Sequence, residues 1–172
     1  MATTDSTTQS LSDRAREIFS AIFDERDLSD PYRYWTDESI DHFLAAGRSV
    51  RGAEALAQWF RDLFAAVPDW KLEVENVVDD GDRQVVVQWH ATGTFSGAPF
   101  LGIEPNGRAL DIRGVDVIRV DENFKVVTNT VYYDAAEYAR QIGMLPARDS
   151  AADRAMTAAF NGATKLRKRL RS

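Results

Sequence analysis

Apolar positions recur at helical spacing through Asp13 to Arg26, where Ala15, Ile18, Phe19, Ile22 and Phe23 form one stripe, predicting an amphipathic helix with Ser12 as its N-cap. Ser29-Asp30-Pro31 predicts a shorter helix or turn within Leu28 to Trp35. Alternation takes over at Ser39-Ile-Asp-His-Phe-Leu44, a short strand with Asp41 and Phe43 on one face and Ile40 and His42 on the other. After Arg51-Gly52, the stripe Ala53, Leu56, Ala57, Phe60, Leu63 and Phe64 predicts a second helix, which Pro68 ends. From Trp70 onwards strands dominate. Leu72, Val74 and Val77 lead to the Asp79-Asp80-Gly81-Asp82 turn, and Val85 to Phe95 returns with Val85, Val87, Trp89 and Ala91 on one side.

A stretch rich in Gly and Pro from Gly97 to Gly107 reads as a loop, and Leu110 to Val120 with Lys125 to Tyr133 reads as a hairpin around Asp121-Glu122-Asn123. A short helix, Ala135 to Ile142, follows. Helices first and strands after them imply an α+β fold, with helices laid across one face of a curved antiparallel sheet. Beyond Pro146 the pattern is helical again, with Met156, Ala159, Phe160, Ala163, Leu166 and Leu170 on one side and a basic end. This helix is expected to pack on its own or a neighbouring domain. The division expected is a disordered lead over residues 1–10, one domain over 11–145, and a C-terminal helical extension over 146–172.

Composition narrows the function. A chain of 172 residues that is 44% hydrophobic and 28% charged suits one globular domain. Its apolar runs are too short for a membrane span, and the Thr- and Ser-rich start has no secretion-signal pattern, so a cytoplasmic location without membrane partners is expected. The absence of cysteine excludes disulfides, thiolate ligands and thiol nucleophiles. A net charge of −6 argues against nucleic acid as a partner. His42 and His90 are isolated and make no metal-ligand pattern, so no metal is expected. The outer face set Val86, Gln88, His90 and Thr92 is only half polar, which predicts a homodimer packed sheet to sheet.

Several pieces carry a resemblance in their order: Arg51-Gly-Ala-Glu-Ala-Leu, Phe64-Ala-Ala-Val-Pro-Asp69, Asp80-Gly-Asp82, Gly93-Thr-Phe-Ser-Gly97, the run from Gly107 to Val120, Tyr133-Asp134 and Gln141-Ile-Gly143. Together they resemble the SnoaL-like polyketide cyclases, of the nuclear-transport-factor-2-like superfamily that also holds ketosteroid isomerase and limonene epoxide hydrolase. The resemblance implies a cone-shaped fold with an internal pocket for a hydrophobic small molecule. It also implies an acid/base role at Asp134, where the relatives carry an acid, and an inward position for Asp116.

Asp134, between strand and helix, can equally be a helix cap. Asp116 can be a neutral acid in an apolar cavity, its pKa raised by burial, or it can pair with Arg113, Arg119 or a backbone group. Phe19 and Phe43 stand where ketosteroid isomerase has its tyrosine and its proton-shuttling aspartate, which counts against that activity. Residues 85–92 lack the Arg-x-Asp pair of the epoxide hydrolase. Asn129 stands in place of the cyclases' usual histidine. Asp41, Phe43, Phe19, Trp35, Trp89, Asn129 and Tyr133 are the expected pocket residues. The expected function is cofactor-independent acid/base catalysis on a hydrophobic, carbonyl-bearing substrate, with Asp134 as base and Asp116 as helper. The alternative is a non-catalytic small-molecule-binding module, or an accessory subunit, of the same fold.

Overall fold

A computed structural model describes residues 10–171. Ser10, rather than Ser12, caps helix α1 (Leu11–Phe19) by accepting from the Asp13 amide at 3.0 Å, while the Ser12 hydroxyl donates to Asp79. Of the expected lead, residues 1–9 lie outside the described residues. The predicted first helix continues past α1 as one π turn, Ser20–Asp24, closed by the Glu25 amide on the Ser20 carbonyl. That wider turn carries Phe23 toward the core, where its ring meets Phe60 edge-on at 5.5 Å. The Ser29-Asp30-Pro31 signal gives a 3-10 turn at Pro31–Arg33.

Helix α2 (Ala53–Ala66) buries Ala53, Leu56, Ala57, Phe60 and Phe64, as its spacing requires. Phe60 is the centre of an aromatic cluster, stacked on Trp35 at 5.7 Å and edge-on to Phe43 at 6.3 Å. Removing such a ring costs on the order of 3–5 kcal/mol.

The strands are β1 (Ile40–Phe43), β2 (Arg48–Arg51), β3 (Lys71–Asp79), β4 (Gln84–Phe95), β5 (Arg108–Val120) and β6 (Val126–Tyr133). They form one open sheet in the order β2-β1-β6-β5-β4-β3. The antiparallel unit β3 to β6 matches the sequence reading. The other two strands extend it: β1 runs parallel to β6, with Asp41 opposite Asn129, and β2 returns antiparallel on β1. Along β3 the pairing shifts between Val74 and Asn76, a bulge that explains why Val74 and Val77, three apart, both pack against the core. The β5–β6 turn is tied by Asp121, whose carboxylate accepts from the Asn123 and Lys125 amides at 2.8 and 2.9 Å.

Two helices follow the sheet, α3 (Ala135–Gln141) and α4 (Ala151–Leu170). The last helix, expected to pack on its own or a neighbouring domain, lies exposed on this chain: among the described residues none of α4 is buried. Its base is held by Arg148 and Arg140 rather than by apolar contact, the Arg140 guanidinium lying 4.0 Å from Asp153.

Candidate active site

Between the sheet's inner face and helices α1 and α2 lies a cavity of about 90 Å³. Its walls are apolar, built from Phe19, Phe43, Phe60, Trp70 and Trp89, and Leu101, the most exposed lining residue, marks an edge of its opening. Phe43 stacks on Trp59 at 4.3 Å, and Trp59 meets Phe100 of the Gly- and Pro-rich loop at 5.4 Å. Among the described residues lining the cavity, Asp116 is the only carboxylate.

Strand alternation puts it there. On β5 the buried positions are Leu110, Ile112, Gly114, Asp116, Ile118 and Val120. Gly114 pairs with Trp89 of β4, and a Cβ at Gly114 would lie 2.2 Å from the Trp89 ring. The missing side chain lets the indole lie across β5 and reach the next inward residue: Trp89 Nε1 donates to Asp116 Oδ1 at 2.8 Å. Asn129 Nδ2, from β6, donates to Asp116 Oδ2 at 2.9 Å.

Behind Asp116 stands a second acid. Asn129 Nδ2 also lies 3.4 Å from Asp41 Oδ2, so one amide bridges two carboxyl groups. Asp41 is 2% exposed, and its Oδ1, like the Asn129 Oδ1, is buried without a partner. Burial, and then the nearby Asp116 charge, push the Asp41 carboxyl up to about 7. Burial also raises Asp116, to about 6, against the opposing pull of the Asn129 and Trp89 hydrogen bonds. Tyr133 lines the same cavity, and burial pushes its hydroxyl up to about 12, so it remains a donor at neutral pH.

The expected site residues therefore separate into four groups. Asp116, Phe19, Phe43, Trp89 and Tyr133 line the cavity, and Asp41 and Asn129 form the layer behind Asp116. Trp35 is core, stacked on Phe60 away from the cavity. Asp134 is exposed: it caps α3 by accepting from the Glu137 amide at 2.9 Å, and Arg148 lies 3.5 Å from its other oxygen. The Glu137 amide holds its carboxyl below the usual range. Asp116 contacts neither Arg113 nor Arg119, since Arg113 points outward to Glu75 and Asp111. Sequence reasoning missed Phe23, Trp70 and Tyr138 as lining residues. Tyr138 had a signal, its place one turn into the helix after Asp134, and it meets Tyr133 edge-on at 6.1 Å.

The family model for SnoaL-like polyketide cyclases matches residues 13–142. The chain belongs to that family. A candidate SnoaL-like polyketide cyclase from Jannaschia sp. CCS1 is 26% identical, with a TM-score of 0.64 over 80% of this chain and 97% of its own. IdmH, a candidate polyketide cyclase from Streptomyces antibioticus, is 24% identical, with a TM-score of 0.64 over 78% of this chain and 99% of its own. AclR, a candidate hydroxylase from Streptomyces galilaeus, is 20% identical, also with a TM-score of 0.64, over 95% of this chain and 99% of its own. A match over 95% of 172 residues must reach well into α4. A search of the curated proteins found no match.

This chain has an acid, Asp116, on the inner face of β5 and an amide, Asn129, on the inner face of β6. Among the described residues no helix is long and apolar enough to cross a membrane.

Proposed function

We propose that the protein is a cofactor-independent acid/base catalyst that closes a ring in a hydrophobic, carbonyl-bearing substrate, with Asp116 transferring the proton. The observation that carries this reading is the place of Asp116, as the carboxylate facing an apolar cavity while two buried donors fix both of its oxygens. Its raised pKa, about 6, lies close to neutrality, where a base is both ionised and strong enough to accept a proton from carbon. An aldol closure needs a C–H proton removed from between carbonyl groups and a proton returned to the new alkoxide. Asp116 performs the first step. The protonated Asp116, or the Tyr133 hydroxyl in the same cavity, supplies the second. Exclusion of water by the aromatic walls strengthens both contacts. Asp116 thereby takes the role that the family resemblance suggested for Asp134, which the fold turns outward.

The test uses 2-tetralone, a small apolar ketone with acidic C–H bonds, in deuterated water. The wild-type protein should speed exchange of its α-protons, followed by NMR. Asp116→Asn should lower the rate by a factor on the order of 10²–10⁴. The neutral dye N-phenyl-1-naphthylamine should bind both proteins equally. Dye binding with no acceleration by the wild type would point to a binding module. Full acceleration by Asp116→Asn would remove Asp116 from the mechanism.

A further inference from the structure

Asn129 has two hydrogens on one amide nitrogen, and each is aimed at an acid from a different strand: Nδ2 lies 2.9 Å from Asp116 Oδ2 on β5 and 3.4 Å from Asp41 Oδ2 on β1. A single nitrogen thus ties the carboxyl that faces the cavity to one outside the cavity wall. Strand packing does not account for that second acid. Asp41 is fully buried, and its Oδ1 and the Asn129 Oδ1 have no partner among the described residues; an apolar side chain would fill the place without burying unpaired oxygens. No other charge faces the pair among the described residues. On β1, His42 turns to the opposite face and meets Ser49, and on β2, Arg48 shares the face of Asp41 but is exposed, opposite Phe43. Arg113 and Arg119 alternate outward on β5, His90 of β4 turns out to Asp111, and neither β6 nor the buried face of α2 holds a charged side chain. The other titratable groups in the cavity wall are the Tyr133 and Tyr138 hydroxyls.

Resting on the catalytic reading of Asp116, we infer that Asp41 is its positioning residue: held on the same amide, it sets how tightly Asp116 keeps a proton, so that the base is a coupled pair rather than a lone acid. The coupling is electrostatic. Asp116 ionises first, because the Trp89 and Asn129 donors favour its charged form, whereas Asp41 has only the longer contact to Asn129. While Asp41 is neutral, it leaves the Asn129 amide to Asp116. Once Asp41 loses its proton, two negative charges stand on the two sides of one nitrogen and compete for it, and the proton affinity of Asp116 rises. Like charges this close in a protein interior shift one another by on the order of one to two pH units. A stronger base takes a carbon-bound proton faster. Since Asp41 stands behind Asp116, outside the cavity wall, charge passing from Asp116 to a substrate oxygen also moves away from Asp41. The rate therefore gains a second rise with pH, beyond the one that follows the ionisation of Asp116 itself.

Two measurements on the full chain test this, one of them independent of turnover. Carbon-13 NMR of protein labelled at the aspartate carboxyl carbons, with the Asp116 signal assigned by its loss in Asp116→Asn, follows that carboxyl through a pH titration. In the wild type it should move in two steps, the second tracking Asp41, and in Asp41→Asn in one. Asp41→Ala, which removes the same charge without adding an amide, should also give one step, and circular dichroism checks that each variant is folded. In the tetralone exchange assay, the ratio of the wild-type rate to the Asp41→Asn rate should grow roughly three- to tenfold between about pH 5.5 and about pH 8. A purely structural role for Asp41 would change the rate by the same factor at every pH. An Asp116 titration that is the same with and without the Asp41 charge, or a rate ratio that stays constant with pH, would overturn the inference. If the second step vanishes in both Asp41 variants while the wild type does not speed exchange, the coupled pair stands and the proposed function falls.

Discussion

Replacing Asp41 by asparagine should convert a pH-dependent stability into a flat one. The folded protein holds the Asp41 proton up to a pH of about 7, whereas the same carboxyl when free loses it at about 3.8. Its contribution to stability is therefore complete below the lower value and drains away as pH rises through the higher one. The gap of about three units corresponds to ~4 kcal/mol at 1.36 kcal/mol per unit, of which ~3 kcal/mol falls between about pH 5 and about pH 8. Asparagine has nearly the same shape, keeps an oxygen toward the Asn129 amide and cannot ionise. In a chain of this size ~3 kcal/mol shifts the Tm by about 6–12 °C. Thermal melts followed by circular dichroism should show the variant melting close to the wild type at the acid end and well above it at the alkaline end. The quantity to compare is the difference between the two proteins, since other groups titrate in both. A difference that stays constant across that range would mean that Asp41 ionises as an ordinary surface acid, and the buried pair would not exist as described.

Gly114→Ala should force the Trp89 indole off Asp116, because the added Cβ falls 2.2 Å from the ring. A loss of stability of about 1–3 kcal/mol, with a shift in tryptophan fluorescence, is expected, and an unchanged spectrum would refute the close approach. Asp134→Asn should leave the Tm within about 2 °C and the tetralone exchange rate unchanged, since asparagine caps as well as aspartate; a large fall in exchange would return Asp134 to the mechanism.

Periodicity was enough for the helices over 53–66 and 135–141 and for the four long strands, because each buries one face against a single core. It could not show β2, whose Arg48-Ser-Val-Arg51 has no apolar alternation and is a strand only because β1 is beside it. Nor could it show β1 joining β6, a pairing between distant parts of the chain. The π turn left the stripe of α1 unbroken and so was silent in the sequence. Alternation set Asp41 beside Phe43 and Trp89 beside Val87, whereas the inward place of Asp116 and the role of Asp134 came only from the family resemblance. Tyr133 and Asp134 are neighbours, and neighbours on a strand face opposite ways; once Tyr133 lines the cavity, Asp134 points out. The bridge from Asn129 to both acids follows from the β1–β6 register, which no local pattern encodes.

That same register sets when the site can form during folding. The β3–β6 unit is built from hairpins and near neighbours, so it can assemble early with Asp116 and Trp89 already in place. Asp41 reaches Asn129 only by closing a loop of 88 residues, and the entropy of that closure is recovered only once β1 docks. The long-range β1–β6 register is thus what brings the second acid beside Asp116, and the cost of that closure is expected to make it a late step of folding.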